Sequence, residues 1–142
     1  MFDECLFCRI GAHELGANIV YEDDRLMAFL DTCPIRPGHT QIIPKQHFTD
    51  FEGAPPDIIS SVVSLGQKLS SVMKGLYGVP RVAFLFTGGD VAHVHAHVVP
   101  MHHKTDITSA RYIVEQNLTF RSTPRASDAD LEQCARDLRA AI

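Results

Sequence analysis

The chain has no excess of basic residues. Its 142 residues include 13 Lys and Arg against 17 Asp and Glu, and its formal charge at pH 7 is −4. The basic residues are scattered and form no stripe that could follow a phosphate backbone. We therefore expect no nucleic-acid partner.

Long apolar runs are also missing. No stretch approaches the length of about 20 apolar residues that a membrane-spanning helix needs. The first residues, Met1 to Cys5, have neither the basic start nor the apolar core of a secretory leader. These absences predict a cytoplasmic protein without a membrane partner.

Cysteine is sparse. Cys5, Cys8, Cys33 and Cys134 do not form the dense disulfide framework of a small secreted domain. We expect Cys33 and Cys134 to be buried thiols. The Cys5-x-x-Cys8 spacing suits two thiolates on one metal ion, although alone it is a weak signal.

The length allows one domain. A chain of 142 residues can bury its own core but is too short for two ordinary domains. We predict a single domain, with a core over residues 1–103 and a C-terminal extension over residues 104–142. Short apolar stretches predict five strands, at residues 19–22, 26–30, 39–44 and 82–86 and in the histidine-rich stretch 93–99.

Two helices are predicted from their spacing and end signals. Between Pro55-Pro56 and Gly78, apolar residues recur at alternating steps of four and three: Ile58, Val62, Leu65, Leu69, Val72 and Leu76. A capping box, Ser127-x-x-Asp130, precedes a second apolar face, formed by Leu131, Cys134, Leu138 and Ile142. Residues 101–126 are ambiguous. The elements predict an α+β fold on an antiparallel sheet.

Three histidines alternate with apolar residues in the run His93-Val94-His95-Ala96-His97. In a strand, this period places the three imidazoles on one face. The outer Cα atoms would then lie about 13 Å apart at about 3.3 Å per residue, so one zinc ion with Zn–N bonds of about 2.0–2.1 Å could barely reach both rings. The run therefore predicts separate roles for the three histidines, and the alternative is an imidazole-rich surface strand.

The same run, followed by Val98-Val99, resembles the signature of the histidine triad (HIT) family. Other segments occur in the family's order and at about its spacings: Cys5-Leu6-Phe7-Cys8-Arg9-Ile10, Tyr21-Glu22-Asp23-Asp24, Ala28-Phe29-Leu30-Asp31, Pro37-Gly38-His39 and Ile43-Pro44-Lys45-Gln46-His47. The resemblance covers residues 1–103 well and the tail loosely. It implies a HIT-like fold and a hydrolase or nucleotidyl transferase that acts on nucleoside 5′-phosphate derivatives.

The resemblance also implies roles for individual histidines. His95 would be the nucleophile that attacks the α-phosphorus, giving a nucleotidyl-histidine that water hydrolyses. An imidazole with a pKa near its reference value of about 6.5 is largely neutral at pH 7. His97 and His39 resemble the histidines that line the phosphate. For His39 the alternative is a loop histidine that caps backbone carbonyls.

By the same match, Asp31 would accept hydrogen bonds from both ribose hydroxyls. The alternative is an aspartate that starts a turn before Cys33-Pro34. An apolar slot for the base would be formed by Leu6, Phe7, Ile10, Phe29 and Ile42. The alternative for these residues is ordinary core.

Zinc is the cofactor that the resemblance implies. Cys5, Cys8, His47 and His93 resemble the two-thiolate, two-imidazole set of zinc-bearing members. Such a site would be closed and structural, and the chemical step would need no metal. The alternative is a pair of reduced core cysteines beside a hydrogen-bonded His47.

The turn before the triad departs from the family pattern, in which a Gly-rich loop with an Asn ends in Gln-Ser or Gln-Thr. Here it is shortened to Thr87-Gly88-Gly89-Asp90, so Gly89 and Asp90 stand where an amide and a hydroxyl would contact phosphate. An ionised carboxylate repels an anion unless it is turned away or capped. Backbone N–H groups of the two glycines could still face phosphate oxygens.

The resemblance, with this departure, implies a hydrolase of an adenosine phosphoramidate or adenylated amine that binds a purine nucleotide such as AMP. The alternatives are a dinucleoside polyphosphate hydrolase, a catalytically weak nucleotide-binding or scaffold protein, and a zinc-dependent hydrolase with the triad as ligands. By family analogy we expect a homodimer.

Overall fold

The structure is a computed structural model. It describes residues 5–107 and 122–142. The four residues before Cys5, on which part of the leader prediction rests, and residues 108–121 of the ambiguous stretch lie outside the described residues.

The described residues contain five strands: β1 Ile19–Glu22, β2 Leu26–Leu30, β3 Thr40–Pro44, β4 Arg81–Phe86 and β5 Ala96–Met101. They form one antiparallel sheet in the order β1-β2-β3-β5-β4. The predicted α+β fold on a five-stranded antiparallel sheet is confirmed.

The histidine strand is shorter than predicted. Strand β5 begins at Ala96, so only His97 lies in it. The preceding backbone is held outside the sheet, because the N–H of Val94 donates to the carbonyl of Phe48 (2.7 Å) and that of His93 to the carbonyl of Val91 (2.8 Å). The sheet itself therefore does not order His93 and His95 along one face.

In the part of the chain that the structure describes, three α-helices accompany the sheet: α1 Leu6–Gly11, α2 Pro56–Tyr77 and α3 Asp128–Ala141. The long helix α2 has Pro56 in its first turn and ends at Gly78, which adopts a φ of +60°. The N–H of Asp130 donates to the hydroxyl of Ser127 (3.1 Å), which caps α3 as predicted. Helix α1 was not predicted. Within the two described ranges, none of the helices is long and apolar enough to cross a membrane.

Different helices pack on the two faces of the sheet. One face packs on α2 and α3, with Ala28, Ile42, Ala96 and Val98 in its core. The other carries Met27, Phe29 and Ile43, which pack against Phe7 and Ile10 of α1. Helix α1 is thereby placed on the face that also holds the histidines.

One cysteine prediction is wrong. Cys33 is exposed, because it lies in the loop between β2 and β3, whereas Cys134 is partly buried.

Candidate active site and metal centre

A continuous chain of hydrogen bonds joins the histidines of the site. The N–H of Ile35 lies 3.2 Å from Nδ1 of His39, and Nε2 of His39 lies 2.8 Å from Nδ1 of His97. The hydroxyl of Thr87 lies 3.0 Å from Nε2 of His97 and 3.3 Å from Nε2 of His95. This series of hydrogen bonds thus runs from the backbone N–H of Ile35 to His95, the middle histidine of the triad.

The two ends of this chain assign the ring tautomers. A backbone N–H only donates, so Nδ1 of His39 accepts and its proton is on Nε2. His39 then donates to Nδ1 of His97, and His97 donates through Nε2 to Thr87. At the other end, Nδ1 of His95 lies 2.6 Å from the carbonyl oxygen of His93, which only accepts. In its neutral form, His95 therefore keeps its proton on Nδ1 and directs the lone pair of Nε2 into the site.

Burial keeps the two flanking rings neutral. It lowers the pKa of His39, and the nearby Asp31 carboxylate only partly opposes this effect. For His97, burial and the neighbouring His39 and His95 lower the pKa to about 4, against the opposing charges of Asp31 and Asp90. Near pH 7 both rings are therefore N–H donors without a positive charge.

A cleft of about 620 Å³ opens beside these histidines. Leu6, Phe7, Ile10 and Phe29 line it, together with Asp31 and Gln41. The ring of Phe7 packs edge-on against His95 with centroids 5.1 Å apart, so the apolar wall reaches the imidazole.

Ile42 was expected in this apolar slot, and that prediction is wrong. Alternation along β3 places Gln41 and Ile43 on the cleft face and Ile42 on the opposite one. Ile42 is fully buried in the core with Val62 and Leu65 of α2.

Asp31 is held by two donors at the edge of the cleft. Its Oδ1 accepts from the N–H of Cys33 (2.8 Å), and its Oδ2 accepts from Nε2 of Gln41 (2.7 Å). The side chain of Asp31 is 17% exposed. Since each carboxylate oxygen can accept more than one hydrogen bond, Asp31 remains able to accept from a ligand.

Gly89 and Asp90 were both expected beside the nucleotide, and the orientation of Asp90 was left open. Asp90 lines the cleft. Gly89 is exposed, and Asp90 and Val91 form this part of the cleft wall. Gly88 borders a second hollow of about 310 Å³ beside His95.

Four sulfur and nitrogen donors meet at one point beside α1. Sγ of Cys5 lies 3.4 Å from Nδ1 of His93, and Sγ of Cys8 lies 3.5 Å from the same nitrogen and 3.3 Å from Nδ1 of His47. All four donor atoms lie within 4.8 Å of one another. The structure therefore brings together the four residues that the sequence nominated as metal ligands.

The donor set fits a tetrahedral zinc ion. Bonds of about 2.3 Å to sulfur and about 2.0–2.1 Å to nitrogen place S and N ligands about 3.6 Å apart, close to the observed separations. Nε2 of His93 lies 2.8 Å from the carbonyl oxygen of Pro44 and donates to it, which leaves the lone pair on Nδ1 facing the thiols. Burial and the adjacent Cys5 raise the pKa of Cys8 to about 11, so a cation would be needed to hold two thiolates here.

A second group, Asp31, His39 and His97, also has its donor atoms within 4.8 Å. The 2.8 Å separation between the two ring nitrogens is shorter than the roughly 3.3 Å that two nitrogens on one tetrahedral zinc require. A hydrogen bond from Nε2–H of His39 to Nδ1 of His97 accounts for this short distance.

Sequence reasoning missed three residues around the site. Thr87 was treated as part of a turn, although its hydroxyl contacts two histidines. Gln41 holds Asp31, and its place two residues after His39, on the same face of the predicted strand, could have indicated that role. Arg125 lines the cleft from the segment before α3, and no signal in the sequence links it to the site.

Comparison with known families decides the relationship. Residues 12–104 match the HIT domain. The chain belongs to the HIT family. The HIT match spans all five strands and leaves helices α1 and α3 outside it.

Curated HIT proteins and solved structures resemble this chain. An uncharacterized HIT-like protein of Methanocaldococcus jannaschii is 36% identical over 100 residues, which are 68% of this chain and 78% of that protein. The adenylylsulfatase HINT3 of Arabidopsis thaliana is 32% identical over 103 residues, which are 69% of this chain and 52% of that protein. The crystal structure of a Zn-bound histidine triad family protein from Mycobacterium smegmatis has a TM-score of 0.76 at 30% identity and covers 97% of this chain and 92% of that one.

Proposed function

We propose that this HIT protein hydrolyses nucleoside 5′-phosphate derivatives through a covalent nucleotidyl-histidine at His95, with adenosine phosphoramidates or adenylated amines as the first candidates. One observation carries the proposal. Nδ1 of His95 lies 2.6 Å from the carbonyl oxygen of His93 and donates to it, which directs the lone pair of Nε2 into a site with two neutral N–H donors.

The cleft provides a place for the nucleoside. The purine of AMP would pack between the apolar side chains of Leu6, Phe7, Ile10 and Phe29. Asp31 lies at the same cleft and has acceptor capacity for ribose hydroxyls. Bound in this way, the nucleotide would extend its phosphate toward His95, because Phe7 contacts both the cleft and that ring.

The reaction takes two displacements. In the first, the Nε2 lone pair of His95 forms a bond to the α-phosphorus, the bond from phosphorus to the amine nitrogen breaks, and the amine takes a proton from solvent. In the second, a water oxygen attacks phosphorus, the bond to Nε2 breaks, and the water gives up a proton as AMP is released. Each displacement has a lower barrier than direct attack by water on the amine-bearing phosphorus.

The flanking histidines would stabilise the charge that develops on the phosphoryl oxygens. His97 holds a proton on Nε2 beside the reacting nitrogen, and His39 orients it through the 2.8 Å hydrogen bond. Prearranged donors of this kind cost little reorganisation when the charge appears.

Adenylyl sulfate is a second candidate substrate. The adenylylsulfatase HINT3, at 32% identity, favours it. Sulfate leaves as an anion without taking up a proton, so the same His95 chemistry applies. Asp90 at the cleft would repel an anionic leaving group placed near it, and for that reason the amine derivatives come first.

We also propose that Cys5, Cys8, His47 and His93 hold a structural zinc ion. The donor separations and the free Nδ1 lone pair of His93 support it, as does the resemblance to a Zn-bound protein. Zinc would hold the thiolates and fix α1 against the segment that carries His95. No chemical step involves it. The homodimer and the cytoplasmic location remain predictions.

The test is release of amine and AMP from a fluorogenic adenosine phosphoramidate, with adenylyl sulfate in parallel. His95→Ala is compared with wild type and with His103→Ala, which removes an exposed histidine. We expect His95→Ala to lose at least about 10³-fold in kcat, as for a removed nucleophile, and His103→Ala to match wild type. Acid quenching of the wild-type reaction should trap an adenylate on His95.

Two results would contradict the proposal. Full turnover by His95→Ala would exclude His95 as the nucleophile. Binding of AMP by a wild-type protein that turns over neither substrate would favour a nucleotide-binding protein instead.

A further inference from the structure

Thr87 lies at the end of β4, directly beside the proposed nucleophile. The pairing of Phe86 with Ala96 is the last register of β4 with β5. One residue further on, the hydroxyl oxygen of Thr87 reaches both Nε2 of His97 (3.0 Å) and Nε2 of His95 (3.3 Å). The strand register therefore places one hydroxyl between two histidines.

The direction of these two hydrogen bonds follows from the tautomers. His97 has its proton on Nε2, because its Nδ1 accepts from His39, so Thr87 accepts from His97. The hydroxyl of Thr87 then has only its own proton to donate. The acceptor it faces is Nε2 of His95, whose other nitrogen is bound to the carbonyl of His93. In the free protein, Thr87 thus covers the lone pair that must attack phosphorus.

Thr87 is also the one neutral side-chain donor of the 87–90 turn. Gly88 and Gly89 have no side-chain donor, and the Asp90 carboxylate only accepts when ionised. Thr87 is exposed, so its hydroxyl can rotate toward a ligand. A phosphoryl group close enough for attack by His95 brings anionic oxygens to the same place, and an O–H···O⁻ bond is shorter and stronger than one to a neutral nitrogen.

We propose that Thr87 exchanges partners during the reaction: its hydroxyl covers Nε2 of His95 in the free protein and turns to a phosphoryl oxygen of the bound substrate, which releases the nucleophile. Thr87 is then a catalytic residue as well as a cap. This inference rests on the proposed function of His95.

The first experiment compares Thr87→Val, which keeps the shape and removes the hydroxyl, with Thr87→Ser, which keeps the hydroxyl. On the adenosine phosphoramidate we expect kcat of Thr87→Val to fall about 100-fold, as for removal of a donor to transition-state charge, with a smaller change in KM. Thr87→Ser should remain within a few-fold of wild type. Unfolding by urea, followed for each variant, controls for fold content.

The second experiment measures His95 without any nucleotide. Diethyl pyrocarbonate acylates free imidazole nitrogens, and mass spectrometry of fragmented peptides locates the label at His95. Because Val and Thr cover similar space, loss of the hydrogen bond should make His95 of Thr87→Val react faster than in wild type. In Thr87→Val we therefore expect kcat to fall and the rate of His95 acylation to rise.

The two experiments separate the inference from the proposed function. A slow or unchanged acylation of His95 in Thr87→Val overturns the cap, and unchanged kcat in Thr87→Val or an inactive Thr87→Ser overturns the catalytic part. If the wild type turns over no nucleotide, the proposed function fails, and faster acylation in Thr87→Val would still support the cap.

Discussion

At the scale of single residues, two neighbouring histidines present opposite ring nitrogens. His93 donates through Nε2 to Pro44 and directs Nδ1 to the thiols, whereas His95 donates through Nδ1 to His93 and directs Nε2 to the hydroxyl of Thr87. His93 therefore faces the proposed metal centre with its ring and holds the proposed nucleophile with its carbonyl. The two rings accept different roles because each donates to a different backbone carbonyl, His93 to Pro44 and His95 to His93.

His97 predicts how stability responds to acid. Burial and two neighbouring histidines lower its pKa to about 4, whereas an unfolded chain has a His pKa of about 6.5. Between these values the unfolded state binds more protons, so the free energy of unfolding falls as pH drops through this window. The stability that the neutral His97 provides is fully present only above about pH 6.5.

The check is the difference between wild type and His97→Gln. Urea unfolding of both proteins is measured at pH 7 and at pH 5. The free energy of unfolding should fall more between these pH values for wild type than for the variant, because glutamine does not titrate and the carboxylates are common to both proteins. Equal losses in the two proteins would show that His97 takes up a proton in the folded state as easily as in the unfolded one.

At the scale of elements, helix α2 approaches the sheet through a glycine. A Cβ built on Gly66 would lie 2.3 Å from the ring of Phe84 on β4, whereas one on Gly75 of the same helix meets nothing within 4 Å. The two glycines thus test the same substitution with and without a packed neighbour.

We expect Gly66→Ala to lower the free energy of unfolding by about 1–3 kcal/mol, since Phe84 must move. Gly75→Ala should instead raise it by about 0.5–1 kcal/mol, because alanine loses less backbone entropy in a helix. Urea unfolding of both variants is the measurement. A stabilised Gly66→Ala would show that Phe84 has room to turn aside.

The element scale also shows what local sequence signals can predict. Pro55-Pro56, Gly78 and the apolar spacing specified α2, and Ser127 marked the start of α3, because caps and periodicity act over a few residues. Helix α1 was missed since it has only six residues and no side-chain cap. Its stability comes from contacts with the distant sheet.

At the scale of the whole molecule, the proposed zinc joins segments that are far apart in the chain. Cys5 directly precedes α1, Cys8 lies within it, His47 follows β3, and His93 precedes β5. A metal ion bound only by the folded arrangement adds to stability, by about 4 kcal/mol at a free concentration about 1,000 times Kd.

We expect the purified protein to hold one zinc ion per chain by atomic absorption, and Cys8→Ser to lose it. Chelation should lower Tm of wild type and leave Cys8→Ser unchanged. Cys33→Ser, which changes an exposed cysteine outside the cluster, should behave as wild type. A metal-free wild type with the same Tm before and after zinc addition would favour the alternative of two reduced cysteines.

The site could be predicted only in part from the sequence. The four metal donors and the three phosphate-side histidines came from the family resemblance, and the structure does gather them. Ile42 was assigned to the wrong face because its neighbour Ile43 is equally apolar, so the pair does not show which of the two side chains faces the cleft. Thr87 was missed because a hydroxyl in a turn is ordinary until its neighbours are known.

The sequence by itself determined the order of the elements and the two-residue spacing of the triad, because propensity, caps and periodicity act over a few neighbouring residues. Tertiary structure decided which nitrogen each histidine presents. The partner that sets the tautomer of His93 is the carbonyl of Pro44, 49 residues away, and the hydroxyl between His95 and His97 arrives with β4. Contacts between residues so far apart in the sequence form only when the sheet has assembled.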